Sequence, residues 1–217
     1  MFNGAGGTIT TCDPAKQPLL ARITFNTGCV VGMSGVGTFS AVSTRYGNGP
    51  GQTTKGFDIQ SNYTLPLGPG DLDVSVTATR VTELKTGPTT LDGVTISTGD
   101  DRLGTLNFAT FAQAAPKWRA NLGVNYALGR QNFRLGVNYV SAVKDERAGV
   151  QYGEDGEKWI TTDFTYRLQL NGDMALTATV ANMFDRDPPP AQEEFGYDPW
   201  TGNPLGRTFE IGFKKAF

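Results

Sequence analysis

The chain has 217 residues, of which 18% are charged and 11% aromatic, and its 28 glycines and 12 prolines are spread along the sequence. This composition argues against disorder and predicts a folded chain. A formal net charge of −2 without any histidine disfavours nucleic acid as a partner and removes the commonest general base and metal ligand, so we expect neither an enzyme nor a bound cofactor.

Residues 1–50 show no clear periodicity and are expected to form loop and strand remnants ahead of a strand-rich region at 51–217. Met1 to Pro14 lack the basic start and apolar run of a secretory signal, so in an exported protein we expect the true amino terminus to lie upstream. Cys12 and Cys29 lie in a Gly- and Thr-rich region without metal-like spacing. A loop disulfide, which would suit an oxidising compartment, and two free thiols both stay open.

From residue 57 onward, apolar residues alternate with polar or small ones, the period of a strand with two different faces. The first predicted hairpin covers 57–67 and 72–78 across a turn at 68–71. The second runs from Trp118 to Leu128 and from Phe133 to Tyr139 across a turn at 129–131. A third covers 160–170 and 174–184 across 171–173, and a last strand runs from Thr208 to Phe217.

These tight turns alternate with long connections near 85–117, 144–158 and 185–206. Strands of about 10 to 12 residues, with short turns at one end and long loops at the other, are typical of transmembrane barrels. No run of about 18 apolar residues predicts a membrane helix. We therefore predict an all-β fold, a portion of an antiparallel transmembrane β-barrel with about 8 to 10 meandering strands.

Alternation assigns the apolar residues to lipid and the polar ones to the lumen. Residues predicted to face the lumen are Arg119, Arg134, Asp163, Arg167, Glu210 and Lys214. Aromatic girdles are expected from Tyr126, Phe133 and Phe217 at the turn end and from Trp118, Tyr139 and Phe184 at the loop end. Arg80 falls on the apolar face late in its strand, so we expect it above the hydrocarbon.

Several segments near the end of the chain match a known family pattern. They are Trp159 to Phe164, Val180-Ala-Asn182-Met-Phe184-Asp185 with Pro188-Pro189, Tyr197-Asp198, and Pro204-Leu205-Gly206-Arg207. This set resembles the tail of TonB-dependent receptors, and Gly56-Phe57-Asp58 and Ala115-Pro116-Lys117-Trp118-Arg119 resemble the starts of earlier strands in that family. The resemblance covers about residues 40–217.

The resemblance implies a barrel of 22 strands plugged by an amino-terminal domain, of which this chain would hold about a third. Contact with the TonB complex would then run only through the missing amino-terminal part. It also implies a Gram-negative outer-membrane location with a periplasmic carboxy terminus, and outer-membrane lipid and lipopolysaccharide as neighbours. Glu210, Gly212 and Phe217 fit the family's terminal signal for the outer-membrane assembly machinery, although Lys215 departs from it.

Three functions follow as hypotheses. The first is the carboxy-terminal part of a receptor that imports a siderophore, cobalamin or a saccharide. The second is a small, self-contained outer-membrane barrel with a structural or adhesive role, in which the first and last strands would pair. The third is a secreted carbohydrate-binding β-sandwich, in which the apolar faces would meet in a dry core.

Overall fold

The computed structural model describes residues 9–32, 39–106, 115–146, 149, 155–192 and 194–216. Within these ranges the fold is all-β, as predicted, with one 3₁₀ helix at Pro18–Arg22. Among the described residues, no helix is both long and apolar enough to cross a bilayer. The long strands are β1 Gln52–Leu67, β2 Gly70–Thr86, β3 Trp118–Leu128, β4 Gln131–Val140, β5 Trp159–Gln169, β6 Met174–Ala181 and β7 Thr208–Lys215.

These seven strands form one antiparallel meander in which each strand pairs with its neighbours in the sequence. A short strand at Asp100–Asp101 adds to the end of β2. Two turns are tight because Gly68 and Gly129 adopt φ values of 59° and 55°, a left-handed conformation that glycine reaches without steric cost. The tight turns and the long connections therefore fall where the sequence predicts them.

The strand register keeps apolar residues opposite apolar residues across the sheet. The side of the sheet that carries these apolar residues is here called the apolar face. One continuous row on it consists of Leu72, Tyr126, Phe133, Tyr166, Ala178 and Ile211. The next row consists of Val74, Val124, Leu135, Phe164, Val180 and Phe209. Cross-strand pairs of this kind each stabilise a sheet by about 0.2 to 1 kcal/mol.

The apolar face is largely uncovered. Phe209 and Ile211 are 74% and 80% exposed, and no side chain of the described residues is fully buried. The other sheets in the described ranges have two strands each, too few to form the second layer that a sandwich needs. The β-sandwich hypothesis is therefore wrong.

The sheet is also open. β1 and β7 lie at its two edges and do not pair with each other. A complete small barrel requires that closing contact, because each unpaired edge leaves a row of backbone donors and acceptors without partners in lipid. The described residues form part of a barrel rather than a closed one.

Two details of the sequence prediction are wrong. β6 ends at Ala181 rather than at residue 184, because Asn182 adopts a φ of 48° that no strand continues. Phe184 consequently lies beyond the strand and is 66% exposed, so it does not end the strand as a girdle residue. β1 and β2, with 16 and 17 residues, are longer than the predicted 10 to 12.

By its internal contacts the chain divides into two compact units, one formed by residues 1–53 and 85–101 and the other by 54–84 and 102–217. In the first, short strands pair as Ile23–Phe25 with Phe39–Val42 and Thr89–Leu91 with Val94–Ser97. A disulfide joins Cys12 to Cys29. Hydrogen bonds from the Arg22 guanidinium hold the pKa of the Asp92 carboxyl below its usual value. In the second unit, Thr105–Leu106 pairs with Lys144–Asp145.

Candidate lumen-facing surface

The side of the sheet opposite the apolar face, here called the polar face, carries polar and charged residues in matching rows. One row consists of Asp73, Asn125, Arg134, Thr165, Thr179 and Glu210. The next consists of Asp71, Ala127, Asn132, Arg167, Thr177 and Gly212. A face of this composition tolerates contact with water, whereas hydrocarbon would leave its donors and acceptors unpaired.

The register brings all six residues predicted to face the lumen onto the polar face. Two of them, Arg134 and Glu210, share a row, and Arg167 lies in the next row. Arg119 is opposite Thr79. The others, Asp163 and Lys214, are opposite Gly136 and Ala175.

The polar face lines a concavity of about 630 Å³. Its floor includes the small residues Ser75, Gly123 and Gly136, and its walls include Arg134 and Asp163. Gly123 leaves room for the Ser75 side chain, because a Cβ at this position would lie 2.5 Å from the Ser75 hydroxyl oxygen, which would have to rotate away. The polar face is thus the inner, concave side of the curved sheet.

Several charges on this surface have no partner among the residues that the structure describes. Within the described part of the chain, the following side chains make no hydrogen bond or ion pair: Arg119, Arg134, Glu210 and Lys214. Arg167 donates to the Gln169 amide oxygen at 3.3 Å. Of these four, Arg134 lines the concavity, and the other three lie elsewhere on the polar face.

Asp163 has a different role, which the sequence pattern does not reveal. Its carboxylate accepts one hydrogen bond from the Asn138 side-chain amide at 3.1 Å and another from the Asn182 backbone N–H at 2.8 Å. It thereby links β4, β5 and the residue that follows β6. Asp163 therefore holds the strands together through these two hydrogen bonds.

The Asn182-Met-Phe184-Asp185 segment ends β6 and positions β7. The buried Asn182 side chain donates to the Arg186 carbonyl at 2.9 Å and accepts from the Arg186 N–H at 3.0 Å, which closes a tight loop. Asp185 Oδ1 accepts from the Arg207 N–H at 2.7 Å, directly before β7. The segment is therefore a structural device that returns the chain to the sheet after a long connection.

Two carboxylates near the β1 edge of the sheet also hold neighbouring strands together. Asp73 accepts from the Thr64 hydroxyl at 2.5 Å and from the Asn125 side-chain amide at 3.3 Å. Asp58 accepts from the Thr79 hydroxyl at 2.7 Å. These contacts join β1, β2 and β3 on the polar face, so part of its charge is structural.

At the loop end, the connections after β4 and β6 enclose a cavity of about 120 Å³ lined by Trp159, Pro188 to Pro190, Asp145 and Asp198. Asp145 and Asp198 are buried, and Asp198 accepts from the Trp200 N–H at 3.0 Å. The two long loops therefore pack on each other.

Comparison with known sequences and structures agrees with this architecture. A family described as TonB dependent receptor-like, beta-barrel matches residues 19–183. No protein of curated function matches the chain. Two crystal structures of mutants of the ferric enterobactin receptor PfeA from Pseudomonas aeruginosa share the fold, each with 20% sequence identity and a TM-score of 0.50. The likeness covers 76% of this chain but 22% of each receptor, so the chain spans much less than their length.

Proposed function

The chain belongs to the TonB dependent receptor-like β-barrel family, and from this membership we propose that it is the carboxy-terminal part of an outer-membrane receptor for active uptake of a scarce nutrient. The substrate is a siderophore, cobalamin or a saccharide. The observation that carries the proposal is the open meander with one uncovered apolar face and one concave polar face. Family members are transporters, so we assign this chain no catalytic residue.

Membrane orientation follows from the two kinds of connection. Outer-membrane barrels place short turns in the periplasm and long loops outside the cell. The turns at Gly68 and Gly129 would then be periplasmic, as would the carboxy terminus that follows β7. Residues 1–50 would belong to extracellular loop and strand remnants, and residues 51–217 to the barrel.

Unpaired edges support the proposal that further strands complete the ring. Almost every residue of β1 and β7 is exposed, and lipid cannot satisfy the backbone groups of a sheet edge. Preceding strands of a longer protein would pair with both edges. An amino-terminal plug would occupy the lumen and carry the contact with the TonB complex.

The polar face is the proposed lumen wall, and its charges are Arg119, Arg134, Asp163, Arg167, Glu210 and Lys214. These groups lie on β3, β4, β5 and β7, and β5 and β7 each carry both an acidic and a basic residue, so the wall offers contacts of both signs to a plug or solute. For assembly, Glu210 and Gly212 project from β7 opposite Thr179 and Thr177. Phe217, the third residue of the proposed insertion signal, lies outside the described residues.

The test is nutrient uptake in the bacterium that produces the intact protein. Deletion of the gene should abolish uptake of one labelled substrate among a panel of ferric siderophores, cobalamin and saccharides, and the intact gene should restore it. A variant lacking residues 118–217 should not restore it, because five strands of the proposed barrel would be missing. Unchanged uptake of every substrate in the deletion strain would contradict the proposal.

A further inference from the structure

Arg80 is a cation on the apolar face. It pairs with Trp118 in the register between β2 and β3, so the two residues lie on the same side of the sheet as Val74 and Val76. The neighbouring position in the row below is occupied by Ala78 opposite Ala120. A guanidinium in this setting requires a physical reason, because a charge that faces hydrocarbon is costly.

Height in the membrane supplies part of that reason. Arg80 lies eight residues beyond Leu72, which is opposite Tyr126 at the turn end of the sheet. At about 3.3 Å per residue and a tilt of about 40°, this separation corresponds to a rise of roughly 20 Å within an apolar band about 25 Å tall. With Leu72 at the turn-side edge of that band, Arg80 and Trp118 would lie near its loop-side edge, close to the headgroups.

The guanidinium is held in place by aromatic rings. Its central carbon lies 5.1 Å from the centroid of the Trp118 ring, and Trp118 in turn contacts Phe57 edge to face at a centroid distance of 5.9 Å. Stacking of a guanidinium on an indole restrains the plane of its donors without satisfying them. The cluster formed by Phe57, Arg80 and Trp118, here called the rim cluster, thus presents a fixed set of N–H groups.

Those donors have no acceptor within the described ranges, where Arg80 makes no ion pair and no hydrogen bond. A second arginine at the loop end provides the comparison. Arg207 lies 6.0 Å from the Phe209 ring, but its guanidinium also donates to the Met183 carbonyl at 3.3 Å and lies 3.9 Å from the Asp185 carboxylate. Arg207 is satisfied by its own chain, whereas none of the described residues supplies an acceptor for Arg80.

We infer that the rim cluster binds the phosphate group of a lipid headgroup in the loop-side leaflet. The planar fork of an arginine matches phosphate oxygens in a bidentate manner. A lipid phosphate lies at the height of Arg80, and its acyl chains would cover the adjacent apolar face. This inference rests on the proposed function, because it requires the apolar face to lie in a bilayer.

The experiment measures binding of diphosphoryl lipid A, and of the same lipid after enzymatic dephosphorylation, to the intact protein in detergent by native mass spectrometry. We expect the phosphorylated lipid to bind more tightly, and Arg80→Gln to weaken its binding about tenfold. Arg80→Lys should have a smaller effect because it keeps the charge and loses the fork. Arg119→Gln is the matched control. Arg119 directly follows Trp118 but lies on the polar face, so this variant removes the same charge at the same height and should leave binding of the lipid unchanged.

Equal binding of the two lipids, or equal loss in Arg80→Gln and Arg119→Gln, would overturn the inference. Insertion into phosphatidylcholine vesicles, measured separately by flotation, distinguishes it from the proposed function. A protein that inserts normally but binds both lipids equally would refute the rim cluster alone. A protein that fails to insert would refute the membrane-spanning function and the inference together.

Discussion

Replacement of Leu122 by arginine tests whether the apolar face lies in hydrocarbon. Leu122 lies on β3 between Val76 and Val137 of the flanking strands. It is four residues from Trp118 and four from Tyr126, so it lies roughly 13 Å along the strand from each girdle position. A lipid-facing charge near the midplane costs about 2 to 4 kcal/mol.

That cost corresponds to a roughly 30- to 700-fold shift of the unfolding equilibrium constant. The matched control is Asn121→Arg, which adds the same charge one residue away, opposite Thr77 and Asn138 on the polar face. It should change the unfolding free energy by less than about 1 kcal/mol, because a wet surface accepts an arginine.

The assay is equilibrium unfolding of the intact protein in phosphatidylcholine vesicles, followed by tryptophan fluorescence in a denaturant series. A third variant, Leu122→Ala, measures the loss of side-chain size without a charge and should fall between the other two. Equal destabilisation by Leu122→Arg and Asn121→Arg would refute the assignment of the two faces. So would an unchanged unfolding free energy in Leu122→Arg.

Three further outcomes are expected. Asn182→Ala should lower the unfolding free energy of the intact protein by about 2 kcal/mol, since it removes two hydrogen bonds to Arg186. Asn182→Asp keeps the acceptor and should lower it by about half as much. A denaturation midpoint for Asn182→Ala equal to that of the wild type would contradict the role of Asn182 in closing the loop. Reduction of the Cys12–Cys29 disulfide, which closes a separation of 17 residues, should destabilise the unit that contains it by about 3 kcal/mol. Trypsin should then cleave faster after Lys16, and an unchanged cleavage rate would count against this stabilising role of the disulfide. The isolated chain should aggregate in water because of its apolar face and the open edges of β1 and β7, and monodisperse elution from a sizing column without detergent would be inconsistent with that expectation.

The strands and their faces could be predicted from the sequence because both depend on local alternation. The residues from Trp118 to Leu128 alternate without interruption, and Gly129 marks the tight turn that follows them. A period of two places successive side chains on opposite faces whatever the partner strand is. The six charged residues assigned to the polar face follow from this rule alone.

Contacts between distant residues could not be predicted in the same way. Asp163 meets the Asn182 backbone N–H because the register of the β5–β6 hairpin brings them together, and the alternation predicts this hairpin but not its register. The alternation does not predict the end of β6 for a related reason, since the apolar spacing continues through Phe184 while the left-handed Asn182 stops the strand. The tolerance of asparagine for this conformation was the available signal.

Spin labels placed in turn along residues 119–126 of the intact protein in vesicles, in a background with Cys12 and Cys29 replaced by serine, give the most direct test of the two faces. Labels at Ala120, Leu122 and Val124 should collide with oxygen, which concentrates in hydrocarbon, and labels between them should collide with a water-soluble nickel complex. An alternation with period two would support a sheet that separates lipid from a wet lumen. Labels at the apolar positions that neither reagent reaches would mean that another protein layer covers this face, and the account would be wrong.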